Sequence, residues 1–474
     1  MRARSAHRWL GLLCAAVLGA AAAPDGEKIR EFWPDGTLKA EYVVDAQGRR
    51  NGLAREWHAN AAPKSKVIFK QDAMDGAYES WHDNGKPDVV CRYRKGVLHG
   101  PWRQDRADGT PAERCTYQEG LLEGERTVFD DAGRPAEVAQ YRAGKRDGVR
   151  KLFQGGELLS EQEYRAGLLV GLFGSRHLYA APLEEVRATL AGLTAAPELL
   201  RMDQVARESG LPEHRLAADR ALAFARLRGF RYLAQLPWRE CTLDEDACAR
   251  AAEAAELSAA LGRVDFAPTN PDWEEARFAR ARDALLRCNL SQGWGVVGSI
   301  DAWINPAEPA LFPKLTARRL CLEPRMAKIG LGQRGEFSAL WTGDSSGPVW
   351  TEEASFFPAN GWMPVEWFSA ETAWSLRLNP SHWRMPDARK ARVSVRALDE
   401  DYLLHGEPFP IVDLHSDREL LIFRPRVTVL PGFLYWVEVE GIEKPDGTPG
   451  RIAWLVHFTT QAAERAAAPD AAGE

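Results

Sequence analysis

Between Cys288 and Gly332, Ser291, Asp301 and Glu323 offer a hydroxyl and two carboxylates. A serine nucleophile needs a base within hydrogen-bond reach, and no histidine occurs between His214 and His382. Imidazole is also the commonest transition-metal ligand, so its absence removes the usual metal and nucleophile-activating chemistries from this stretch. A carboxylate pair doing acid and base work on a glycan is the remaining enzymatic option. The spacing singles out no such pair, so no catalytic residue, metal or cofactor is assigned.

Thiols are the other candidate chemistry. Of seven cysteines, Cys14 lies in an N-terminal run that has the layout of an export signal: Arg2, Arg4 and Arg8, an apolar stretch from Trp9 to Ala23, and alanines at its end. Cleavage is placed after Ala21 or Ala22, with an uncleaved anchor as the alternative. Removal leaves six cysteines, an even number that permits disulfides in an exported chain, with 15 possible pairings. Cys241 and Cys248 flank a helix start, and seven helical residues would separate them by about 10.5 Å. They pair only if Cys241 lies outside the helix and folds back. Cys91 and Cys115 occupy equivalent places in adjacent repeats, two strands or about 10 Å apart, and are expected to stay unpaired.

The elements that must position these groups fall into several segments, as 474 residues exceed one ordinary core. A net charge of −6 with 27% charged residues points to no nucleic-acid or anionic-membrane partner, and no apolar run after the signal is long enough to span a bilayer. From about Ile29 to Gly174 the chain repeats. Gly52, Gly76, Gly100, Gly124, Gly148 and Gly171 keep a step of 24 or 23 residues, and Phe69, Tyr93, Tyr117, Tyr141 and Tyr164 keep the same step. The tip glycines Gly85, Gly109 and Gly133 follow suit. Alternating segments such as Val89-Val90-Cys91-Arg92-Tyr93 and turns such as Asp83-Asn84-Gly85-Lys86 make each unit a hairpin. These units resemble MORN-type repeats of exported and antitoxin-like bacterial proteins. Their aromatics, including Trp57, Trp81 and Trp102, either form a ribbon for a partner or pack on one another along the sheet.

Helical spacing at Leu183, Val186, Leu190 and Leu193, then Asp203 to Gly210, predicts a two-helix connector. Beyond it, Arg226 to Pro237, Cys288-Asn289-Leu290-Ser291-Gln292-Gly293, Arg318-Arg319-Leu320-Cys321-Leu322-Glu323-Pro324 and Lys328-Ile329-Gly330-Leu331-Gly332 resemble, in order and spacing, the bacterial SCP-like subgroup of the CAP superfamily. Thr242 and Glu245 form a capping box for an alanine-rich helix, and Asn270-Pro271-Asp272-Trp273 is similar to an element near the family's cleft. The resemblance implies an α-β-α sandwich. It also implies a cleft at Asp265, Asn270, Cys288, Asn289, Ser291, Ala317 and Arg318, in which Asp265, Cys288 and Ala317 replace two histidines and an acid of the metal-binding members. Cys288 and Cys321 fall beside cleft positions and become disulfide candidates; closing that loop would contribute about 3 to 4 kcal/mol.

After Trp341 short strands, prolines and tryptophans take over, and the ending from Leu430 to Thr460 is similar to bacterial immunoglobulin-like domains. Trp362, Trp367, Trp374 and Trp383 are either buried or a sugar platform.

The expected fold class is therefore multidomain α+β: an N-terminal β-hairpin repeat sheet, a central CAP-like α-β-α sandwich and a C-terminal β-sandwich. The expected segments are a signal peptide at 1–22, repeats at 27–174, a connector at 175–212, the CAP-like domain at 213–345, the immunoglobulin-like domain at 346–461 and a disordered tail at 462–474. The expected function is that of a secreted, periplasmic or cell-envelope interaction protein, not an enzyme, with a protein, cell-wall glycan or lipid partner. A carboxylate-based envelope hydrolase and a structural envelope component are the alternatives.

Overall fold

The computed structural model describes residues 26–176 and 178–462. The expected signal segment, with Cys14, and residues 463–474 of the expected tail lie outside the described residues. The chain divides into two compact units at Gly167/Leu168.

The first unit is one antiparallel sheet of fourteen strands, from Glu27–Phe32 to Glu157–Arg165. Its period has a local cause. Gly52, Gly76, Gly100, Gly124 and Gly148 each lie directly opposite an aromatic ring: Phe69, Tyr93, Tyr117, Tyr141 and Tyr164 respectively. A ring opposite a glycine covers the backbone that the glycine leaves bare. One hairpin end carries two-residue turns such as Lys95-Gly96, with φ of 51° and 84°, the twist-matched primed type. The other end carries a turn whose fourth residue donates to the first, as Gly36 does to Trp33 and Gly85 to His82. A bulge follows each of these turns, at Glu31/Phe32, Glu56/Trp57, Glu79/Trp81, Gln104/Asp105, Val128/Phe129 and Leu152/Phe153.

Neighbouring hairpins are tied by a second ladder outside the strands. Trp33 Nε1 donates to the Trp57 carbonyl at 3.3 Å, His58 Nε2 to Trp81 at 2.8 Å, His82 Nε2 to Asp105 at 2.8 Å, and Arg106 Nη2 to Phe129 at 2.7 Å. Each unit thus holds only its neighbour, the quasi-one-dimensional logic of repeat proteins.

The second unit carries seven α-helices among the described residues: α1 (Leu183–Thr194), α2 (Pro197–Ser209), α3 (Pro212–Leu233), α4 (Glu245–Leu261), α5 (Glu275–Leu286), α6 (Gly295–Ile304) and α7 (Thr316–Cys321). A four-stranded sheet in the order Thr242–Leu243, Lys328–Arg334, Phe337–Trp341, Cys288–Gln292 accompanies them. The glycines of Lys328–Arg334 are there for contact: a Cβ on Gly330 would lie 2.1 Å from the Ala247 backbone, and one on Gly332 2.3 Å from that of Ala251. Alanines on α4 and glycines on the strand let backbone rest on backbone. Thr242 does not cap α4, because it is a strand residue beside Lys328; Asp244 does, accepting from the Ala247 N–H at 2.9 Å.

The expected fold class is overturned. Strand accounts for 41% of the chain and helix for 23%, most of the strand lying in the long antiparallel sheet, and no central CAP-like α-β-α sandwich stands as the organising domain. The physical reason lies in where the helical segment buries its apolar surface. α3 places Phe230 against Phe357 and Trp367, at ring separations of 6.2 and 5.0 Å. One core cluster runs from Ala181 through Ile300 and Leu331 to Phe458. The residues expected to close a sandwich of their own therefore share their core with strands from a four-stranded and a five-stranded sheet that follow Trp341. Trp367, Trp374 and Trp383 are buried in that core, and Trp362 is half-buried. No helix among the described residues is long and apolar enough to cross a membrane.

Candidate functional site

The residues expected to line a cleft separate into three places. Asp265 and Asn270 lie in the loop between α4 and α5 and spend their polar atoms locally. Asp265 accepts from the Ala267 N–H at 2.9 Å and pairs with Arg263 at 2.8 Å, and both contacts hold its carboxyl below the usual range. Asn270 accepts from the Trp273 N–H at 2.8 Å and donates to the Trp273 carbonyl. Cys288 is buried in a small core with Phe278, Ala281 and Leu285, where burial raises its thiol pKa.

The next residue along the strand points to the opposite side. There Asn289 donates to the Ala317 carbonyl at 2.9 Å and to Cys321 Sγ at 3.3 Å, and burial pushes the Cys321 thiol up to about 12. Cys288 and Cys321 thus face different cores across one sheet, and all six cysteines of the described residues are free thiols. Cys241 donates to the Met326 carbonyl at 3.4 Å, and Cys248 accepts from the Leu331 N–H at 3.5 Å. Ser291 shares a hydrogen bond with Ser299. Asp301 is taken by Arg226, which grips it with Nε and Nη2 at 3.0 and 2.7 Å while lying 3.8 Å over the Trp367 ring.

Arg318 fills the place where a cleft was expected. It is 2% exposed, and its fork donates to the carbonyls of Ile304 (2.6 Å) and Ala373 (2.7 Å) and the hydroxyls of Thr372 (2.6 Å) and Ser375 (3.1 Å). Burial brings its pKa down to about 9, so the charge persists at neutral pH. Arg377, which the sequence did not flag, joins Glu323 and Glu419 at 2.6 and 2.7 Å. The void beside these two guanidiniums measures about 10 Å³, room for one water. This polar centre is a clasp joining α7 to the strand Trp374–Leu378. Among the described residues no group of three or more His, Cys, Asp or Glu is placed to hold a metal.

The repeat sheet offers a different surface. Side chains alternate between faces. The glycine–aromatic pairs, Cys91 and Cys115 all occupy one face, with Trp102 opposite Cys115. On the other face a continuous line of directly opposed residues crosses the strands: Arg30, Glu41, Arg55, Lys66, Glu79, Val90, Arg103 and Arg114. It continues through Thr127, Val138 and Lys151 to Glu161. Arg92 sits on the same face opposite Ala77. Arg55, Lys66, Arg92 and Arg103 are exposed and form no ion pair among the described residues. Arg55 opposes Lys66 and Arg103 opposes Arg114, and like charges placed so destabilise a sheet by roughly 0.2 to 1 kcal/mol each. Sequence reading missed this face because a net charge sums both faces; the signal was a basic residue at alternate positions in successive strands.

A buried aromatic group occupies the second unit. His457 stacks on Trp362 with ring centres 4.3 Å apart, and its Nδ1 lies 2.9 Å from the Tyr179 hydroxyl. Burial lowers its pKa to about 4.

No family model matches the chain, and no curated protein matches it. Among solved structures the chain is similar to S. aureus TarM, as a mutant bound to Fondaparinux, alpha-GlcNAc-glycerol and UDP. The identity is 10% and the TM-score 0.13 over 26% of this chain and 21% of that one. Another TarM structure gives 11% identity and a TM-score of 0.13 over 25% and 20%. The chain therefore spans about a fifth of the length of these solved chains.

Proposed function

We propose that this is an exported interaction protein without catalytic activity, placed in the cell envelope or outside it, whose repeat sheet is the contact surface. The observation that carries the reading is the row of exposed cations set side by side without internal partners. Arg55 and Lys66 oppose one another although Glu41 and Glu79 flank them on their other sides, and an external anionic partner would add counter-charge where the two cations meet. The glycine-backed rings, with their own packing to satisfy, serve as the rigid support behind that face.

Export rests on the basic and apolar composition of residues 1–22, and the envelope follows from export. The reading is tested by capture from a native envelope extract with the full chain and with a chain carrying Arg55→Glu, Lys66→Glu, Arg92→Glu and Arg103→Glu. Material retained by the first and lost by the second supports it. Identical retention by both overturns it.

A further inference from the structure

The shape and chemistry of the basic face narrow the class of partner, an inference that rests on the repeat sheet being the contact surface. We infer that the face binds a linear anionic polysaccharide, a sugar polymer bearing carboxylate, sulfate or phosphate groups along its length.

Four features lead there. Arg55, Lys66, Arg103 and Arg114 lie on one line of strand partners that Glu79 and Val90 interrupt, Arg114 being paired with Asp105, and five strand steps make that line about 24 Å long. Such a track suits an extended chain better than a compact ligand. Second, the positions along the line carry no aromatic side chain, since Phe69, Tyr93 and Tyr117 oppose glycines on the other face. Single-stranded nucleic acid draws much of its binding from stacking on such rings, as a neutral sugar chain would, and the ring nearest the line, Phe129, already lies under the Arg114 guanidinium, so charge is the main recognition the line offers.

Third, the line runs over a flat lattice of alternate side chains. Protein partners take most of their affinity from anchors seated in pockets, and a row of cations on a pleated surface supplies none. Fourth, neighbouring strands rotate by about 20 to 25°, so the line turns through roughly 100° or more between Arg55 and Arg114. A planar bilayer touches only part of such a path. A flexible polymer follows all of it, exchanging its condensed counterions for the fixed cations.

The test uses the full chain and heparin as the probe, with neutral dextran, poly-L-glutamate and phosphatidylserine vesicles as the other arms. Heparin should bind with an affinity that falls with salt at a log–log slope of about −3, the counterion release expected for four cations. Reversing Arg55, Lys66, Arg92 and Arg103 to Glu together should weaken heparin at least about tenfold at unchanged melting temperature. Should that chain fail to fold, each single reversal should weaken heparin by roughly twofold or more. Lys151→Glu, farther along the same line, should leave binding unchanged within about twofold.

Dextran bound as well as heparin, vesicles or polyglutamate bound more tightly than heparin, or reversal without effect would each overturn the inference. If heparin fails while the reversed chain still loses its captured envelope material, the contact surface stands and the polysaccharide falls. If neither measurement responds to reversal, both fall.

Discussion

Arg318 shows how a site-like residue can be wholly structural. A buried guanidinium surrounded by neutral acceptors holds two carbonyls and two hydroxyls. Arg318→Met keeps the volume and abandons all four, and at about 1 to 3 kcal/mol for a buried polar group left unmade the loss should reach roughly 3 kcal/mol or more. Denaturant unfolding checks this, and an unmoved midpoint would contradict the clasp. His457 makes a pH-dependent counterpart. Its folded pKa of about 4 lies below the ordinary 6.5, so the unfolded chain takes up a proton first as the pH falls. The contribution of His457 is complete above pH 6.5 and drains away between 6.5 and 4, by about 3 kcal/mol at most. Tyr179 and Trp362 lie against it, and burial is the cause of the shift. His457→Phe should flatten that part of the stability profile in melts taken from pH 7 to pH 4, whereas an equally steep loss would remove His457 from the cause.

At the scale of elements, the repeat was legible in the sequence because a glycine and a ring recur every 24 residues and because turn chemistry is local. One unit breaks its own rule. Gly36, Gly85, Gly109 and Gly133 hold the left-handed position that closes each turn, and Ala61 holds it in the second repeat at φ 64°. Ala61→Gly should therefore stabilise the sheet by about 1 kcal/mol, the left-handed penalty outweighing the added chain entropy. A thermal melt shifted downward would show that the alanine is tolerated without strain. The Ile329-Gly330-Leu331-Gly332 run stood out in the sequence only as part of a resemblance, and in the structure Gly330 and Gly332 rest on Ala247 and Ala251. What it implied about the surrounding fold failed. A short motif reports a local approach of backbone to backbone and is silent about which distant strands will share the core beyond it. The capping box failed for a similar reason: long-range pairing with Lys328 took Thr242 before the helix could.

For the whole molecule, the two compact units bury their apolar surface differently. The second owns a large continuous core rich in tryptophan. The first, in which Ala54, Val67 and Phe69 form a small buried cluster with their neighbours, relies on ladders between adjacent hairpins. Calorimetry of the full chain should resolve two transitions, the repeat sheet melting over a broader range, as nearest-neighbour arrays lose all-or-none behaviour. One sharp transition with equal calorimetric and van't Hoff enthalpies would refute that separation. The basic face also belongs to this scale. No single strand shows the row, which exists only once the register of eight strands is known. That is why composition, read without pairing, pointed only away from a nucleic-acid or anionic-membrane partner and gave no sign of the basic row.

The ladder of Trp33, His58, His82 and Arg106 reaching to the following hairpin has a consequence for how such a chain changes over generations. Because each hairpin presents the same socket it occupies, copying or deleting one 24-residue block leaves every remaining joint intact. Each such event alters the ribbon by two strands, about 10 Å. Reach is then a quantity that can be set in discrete increments by gene duplication alone, without inventing a new loop or disturbing the module downstream.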